Sequence, residues 1–135
     1  MPKIFEIWII TEGGIPIFSY SPESKLNPAL ISSFFSAIQS FALEISEKNT
    51  INSFSIGKFN YNFLWMSSYN LYFITKSDIK LKPKNIEKHL TQIAGLFLGI
   101  FNKELEEFEG DVSRFEPFKA DFEIYLKDNF KTLKR

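Results

Sequence analysis

The sequence contains no cysteine and a single histidine. The first absence excludes a disulfide framework, thiolate metal sites and cysteine nucleophiles. The second leaves His89 with neither a cysteine nor another histidine as a co-ligand, which argues against a zinc site or a serine triad. A solvated position on a helix is expected for it. An excess of one charge is missing as well: sixteen basic residues balance sixteen acidic ones. No basic face is evident, so nucleic acid is not an expected partner. Long apolar runs are scarce. The longest, residues 93–101, falls well below the roughly 18 residues of a membrane span, and "MPKIFEIWII" is broken by Glu6 and lacks the flanks of a signal peptide. A cytoplasmic domain is expected, with peripheral membrane contact at most.

What is present is apolar and aromatic. The chain of 135 residues is 44% hydrophobic and has sixteen phenylalanines, enough for one domain, residues 1–135, with a large core. Residues 4–10 alternate, with Phe5, Ile7 and Ile9 on one face and Ile4, Glu6, Trp8 and Ile10 on the other. Both faces are mostly apolar, which predicts a central strand covered on both sides. Glu12-Gly13-Gly14 turns the chain into a second strand, residues 15–20. Pro16 cannot donate a ladder hydrogen bond, so this strand belongs at an edge.

Asn27-Pro28 starts a helix, with Asn as the cap and Pro at the first helical position. Leu30, Ile31, Phe34, Phe35, Ile38, Phe41, Ala42 and Ile45 continue it at three- and four-residue spacing to about residue 47. Phe34 and Ile38 are expected in the core beneath it. Three strands follow at 51–58, 59–67 and 69–76. A second helix is expected over about 85–108, with Ile86, Leu90, Ile93, Phe97, Ile100 and Phe101 inward. A third, about 114–130, carries Phe115, Phe118, Phe122, Leu126 and Phe130 on one stripe. The order ββαβββαα provides helices for both faces of one five-stranded antiparallel sheet, an α+β sandwich.

No catalytic constellation emerges. Gly13-Gly14 lacks the spacing of a phosphate loop, and a hairpin explains it. Glu104, Glu106, Glu107, Glu109 and Asp111 lack the alternation of a calcium loop and read as a solvated helix end. The lysines at 80, 82, 84 and 88 form a basic stretch, with anionic lipid or phosphate the less favoured use of it. No enzyme, metal or cofactor is therefore expected. Gly95 and Gly99, one helical turn apart, each cost about 1 kcal/mol relative to alanine. They imply close backbone approach, to the chain's own sheet in the first instance and to a partner helix in the second. Surplus aromatics near sheet edges or on the first helix suggest an apolar association patch.

The element order and the first hairpin together resemble a longin domain, a profilin-like fold with one helix on one sheet face and two on the other. The likeness is closest in "IWIITEGGIPIFSYS", similar to the first-longin hairpin of endosomal Rab-exchange-factor subunits. The matching residues are Glu12, Gly13, Gly14, Pro16, Ile17 and Phe18. The stretch "FSIGKFNYNFLWMSSYNLYFITKSD" resembles the three central strands. The resemblance implies sheet order 2-1-5-4-3 and a non-catalytic interaction module in small-GTPase regulation or membrane traffic. Its partners would be a small GTPase, a second longin or roadblock subunit, or a second copy. The chain stops at Arg135 without a fusion helix, anchor or second module, so a stand-alone module is expected rather than a complete exchange factor. The partner-binding candidates are Ile51, Ser53, Phe54, Ser55 and Ile56 on the second edge, and Gly95 and Gly99 for self-pairing. The rival reading is a small-molecule sensor of PAS/GAF-like type, with Asn60, Tyr61, Asn62 and Trp65 lining its cavity. Large aromatics on both faces of that strand favour a filled core instead.

Overall fold

The first hairpin is closed by Thr11 and Gly14. The Gly14 amide donates to the Thr11 carbonyl at 2.9 Å, the Thr11 amide to the Ile15 carbonyl at 2.9 Å, and the Ile15 amide to Thr11 Oγ1 at 3.0 Å. Gly14 has φ +92°, and a Cβ placed there would stand 3.2 Å from the Ser36 Cβ. Both the turn and the helix above it therefore require glycine. Around this hairpin a computed structural model describes residues 3–22, 27–46 and 52–130.

The elements are β1 (Ile4–Thr11), β2 (Pro16–Tyr20), α1 (Pro28–Ser46), β3 (Ser53–Ile56), β4 (Phe59–Met66), β5 (Leu71–Asp78), α2 (Pro83–Glu106), a 3-10 turn (Val112–Phe115) and α3 (Phe118–Asn129). One antiparallel sheet runs in the order β2-β1-β5-β4-β3. The edge position of β2 follows from Pro16, which pairs with Ile10 beside a register shift, where a missing donor is tolerated. Asn27 caps α1 as its sequence predicts, its Oδ1 accepting from the Ala29 amide at 2.7 Å.

Several boundaries move for local reasons. Gly57 and Lys58 form the β3–β4 turn, with φ +61° at Gly57, and residue 51 lies outside the described residues. Tyr69 and Asn70 belong to the next turn, with Asn70 at φ +54°, a conformation Asn tolerates. The expected third helix is two pieces. Asp111 caps the 3-10 turn by accepting from the Ser113 amide at 3.1 Å, and the chain turns again at Glu116 and Pro117 before α3.

Side-chain placement brings three corrections. A register shift between Ile4 and Glu6 puts Ile4 in the same core as Ile7 and Ile9 rather than with Glu6 and Trp8, because a bulge breaks the two-residue alternation. On α1 the inward residues are Ile31, Ser32, Phe35, Gln39 and Ala42, whereas Phe34 is 51% exposed and Ile38 half-buried. On α2, Ile100 is exposed and Ala94 is buried in its place.

Two cores result. The larger lies between the sheet and α2 with α3, and holds Ile7, Ile9, Phe73, Phe97, Phe115, Phe118 and Phe122. The smaller lies under α1, where Trp8, Ile10, Tyr72 and Ile74 meet Ile31 and Phe35. The Phe35 ring sits 5.3 Å from Trp8, 5.5 Å from Phe63 and 6.0 Å from Tyr61, centroid to centroid.

Two predictions follow from this packing and are read by denaturant unfolding. Phe35→Ala is expected to cost about 3–5 kcal/mol and Phe34→Ala about 1 kcal/mol or less, reflecting burial against exposure. Gly14→Ala is expected to cost about 2 kcal/mol or more through its positive φ and the crowded helix, and Gly13→Ala less than about 0.5 kcal/mol. Equal effects within either pair would contradict the packing.

Candidate interaction face

Between residues 28–46 and 53–75 only Glu44 and Lys58 are charged. The structure gathers these segments on one side. On β4 the side chains of Tyr61, Phe63 and Trp65 face α1, and none is fully buried. Phe54 of β3 stacks on Tyr61 at 5.0 Å and meets Phe34 of α1 at 6.4 Å. Leu30, Phe34, Phe41 and Ile45 form a stripe along α1 and are exposed, Phe41 by 63% and Ile45 by 69%. The Phe34–Phe54 contact shows that the stripe leans toward the open edge, where Ile56 is also exposed. An aromatic, charge-depleted surface of this kind matches the composition of an interface core.

The 18-residue window Pro28–Ile45 has a mean hydropathy of 1.3, apolar and long enough by composition to cross a membrane. That corrects the expectation that apolar stretches fall short of such a length. Scattered serines interrupt the run without lowering its mean far. In the fold one side of this helix is engaged by the sheet and the other is left apolar.

The edge itself is open. The Phe63 amide donates to the Asn52 carbonyl at 2.9 Å, and Ile56 pairs with Phe59 across a two-residue turn. Ladder bonds alternate along an antiparallel pair, so the amides of residues 52, 54 and 56 face β4 and those of Ser53 and Ser55 face outward. Both serines are exposed, and the Ser55 hydroxyl bonds to Asn60 Oδ1. Four of the sequence candidates, Ser53, Phe54, Ser55 and Ile56, therefore share the edge, and Ile51 lies outside the described residues. Sequence reasoning missed Leu30, Phe34 and Phe41 as surface residues. The signal was present in an α1 pattern too apolar for one buried face.

Gly95 and Gly99 are not part of this face. Both are exposed on α2, and a Cβ at either would meet nothing within 4 Å. The expected approach to the chain's own sheet is thus absent, because Ile93, Ala94 and Phe97 make that contact. With Leu96 and Ile100 the glycines form a second, smaller uncharged patch on the opposite side of the molecule. The sensor constellation does not converge either. Tyr61 and Trp65 face α1, while Asn60 and Asn62, at the alternate positions of β4, face away.

His89 is also not a solvated residue. Its Nδ1 lies 2.6 Å from the Tyr125 hydroxyl, which donates to Gln92 Oε1 at 2.7 Å, and its ring centroid is 4.5 Å from that of Phe130. Burial, with a smaller contribution from Lys88, pushes the imidazole below its ordinary range. Burial pushes the Tyr125 phenol up to about 12. The cluster ties α2 to α3 and has no second base or nucleophile, so it reads as a clamp. Lys80, Lys82, Lys84 and Lys88 are exposed at the start of α2, away from the aromatic face.

A family model described as the first longin domain of FUZ, MON1 and HPS1 matches residues 6–114. The fold is similar to that in a structure of the mammalian SRP receptor, with TM-score 0.61, 13% identity and 95% of each chain covered. It is also similar to a roadblock/LC7 domain from Streptomyces avermitilis, with TM-score 0.54 and 3% identity over 67% of this chain and 78% of that one. At these identities the two structures establish a shared fold. No curated protein matches the chain in sequence.

The histidine clamp makes a pH prediction. A histidine whose folded pKa is depressed leaves the unfolded chain to bind the proton first, so its contribution to stability is present above about pH 6.5 and is lost as pH falls. His89 is the only histidine. Urea titrations between about pH 7 and 5.5 are expected to show stability falling on acidification. In His89→Gln that slope should flatten; an unchanged slope would mean that the clamp does not carry it.

Proposed function

The chain belongs to the family of the first longin domain of FUZ, MON1 and HPS1, and from that premise we propose that it is a non-catalytic protein-interaction module serving small-GTPase regulation or membrane-traffic machinery. It acts in the cytoplasm, peripheral to membranes at most, and its partner is a small GTPase or a second longin- or roadblock-type subunit, with a second copy of itself as the homomeric form of the same pairing.

The observation that carries this reading is the face made by α1 and the β3–β4 edge. It combines an exposed apolar stripe, half-buried aromatics and two outward backbone amides with almost no charge. A free strand edge offers hydrogen bonds to an incoming chain, and the adjoining aromatics supply apolar area. Together they support recognition of another folded protein. The rest of the surface is unlike it, since charges concentrate over residues 76–88 and from residue 103 onward.

The test is sedimentation of the purified chain, alone and with candidate longin, roadblock and small-GTPase partners in defined nucleotide states. Association is expected to weaken at least tenfold, about 1.4 kcal/mol, in Ser55→Pro, which removes an outward donor while sparing the β4 ladder, and in Phe41→Asp, which charges the stripe. Folded variants that associate as tightly as wild type would place the interface elsewhere. A wild-type chain that binds none of these partners would overturn the reading.

A further inference from the structure

The same face contains one pocket with a charged floor. It has a volume of about 250 Å³ and lies between α1 and the sheet. Pockets for metabolites and cofactors start at about 300 Å³, so this one is the size of a single side chain. Its walls are the rings of Trp8, Phe35, Phe54 and Tyr61, and Glu6 and Lys76 lie on the strands beneath. Glu6 is 2% exposed. Lys76 Nζ stands 3.8 Å from its carboxylate and 4.2 Å above the Phe59 ring.

We propose that this pocket receives an arginine side chain from the partner that covers the face, with the guanidinium between the aromatic walls and directed at the Glu6 carboxylate. The proposal names the chemistry of the partner at the face described above. Aromatic rings around a carboxylate suit a cation, because ring faces and carboxylate present negative potential together. Arginine suits it best, since its planar, weakly hydrated guanidinium stacks on rings and donates in a fixed fork. A carboxylate accepts from several donors at once, so the pair with Lys76 does not preclude a second cation. The sign of the field inside the pocket supports the choice. The Tyr61 phenol is held above its ordinary range first by burial and then by the charge of Glu6.

The geometry also fixes the direction of entry. Glu6 is on β1, three strands in from β3, or roughly 14 Å at the usual strand spacing. A residue on a strand added at the β3 edge cannot reach it. The arginine enters from above, on an element laid over β4 and β5 beside α1.

The test uses N-acetyl-arginine amide and its citrulline, norleucine and glutamate counterparts as probes, titrated to tens of millimolar. The Trp8 indole N–H, which has no hydrogen-bond partner among the described residues, is the NMR reporter, with Trp65→Phe separating the two tryptophans. A saturable shift with the arginine probe is expected, at least tenfold weaker with citrulline, its neutral isostere, and at least tenfold weaker in Glu6→Gln. If Glu6→Gln does not fold, the citrulline comparison on the wild-type chain decides alone. Equal binding of arginine and citrulline, tighter binding of glutamate or norleucine, or no shift with arginine would each overturn the proposal. Sedimentation reports on the face and this titration on the pocket. Association that persists without arginine binding overturns the pocket alone, and arginine binding without association supports the pocket while overturning the face.

Discussion

A helix is about 10 Å across, and five strands at about 4.8 Å spacing span roughly twice that. One helix therefore cannot cover one face of this sheet. On the far face α2, α3 and the 3-10 turn share the work, and Phe97, Phe115, Phe118 and Phe122 close a continuous core. On the near face α1 is alone. The strands farthest from its anchor, β4 and β3, keep Phe54, Tyr61, Phe63 and Trp65 only partly covered. The uneven count of helices divides the molecule into a closed side and an open one.

Where the opening falls depends on how α1 is held. At one end Gly14 lets the hairpin come under the helix, and the Ser36 hydroxyl donates to the Glu12 carbonyl at 3.4 Å. Midway, Phe35 is pegged between Trp8, Tyr61 and Phe63. These contacts hold the helix against the β1–β2 hairpin and turn the shoulder bearing Leu30, Phe34, Phe41 and Ile45 toward the free edge. A hairpin glycine thus bears on an interaction surface across the sheet. The buried carboxylate of Glu6 fits the same picture: it lies where the helix leaves a pocket, and its ion pair with Lys76 holds charge at a floor otherwise lined with rings.

The fold and the face differ in how far they are written locally. Pro16 marks β2 as an edge because a missing amide hydrogen is a property of one residue, whatever surrounds it. Asn27 and Pro28 mark the start of α1 for the same kind of reason. The strands β1 and β5 announce central positions by being apolar on both faces. These signals are short-ranged, and the element order and the edge followed from them.

The rotation of α1 was not legible in this way. Phe34 and Phe35 are adjacent and identical, and a helix that is apolar on two faces gives periodicity no single direction to point. Tertiary structure decided it, because only the Phe35 position meets Trp8, Tyr61 and Phe63 while Gly14 accommodates Ser36. The bulge that moves Ile4 to the other core, the open space around Gly95 and Gly99, and the meeting of His89 with Tyr125 also arise between distant segments. The sequence by itself determined which elements form and which strand must be an edge, since backbone sterics and donor count are local. Which apolar face is buried and which is left for a partner was decided only by what stands across from each side chain in the folded sheet.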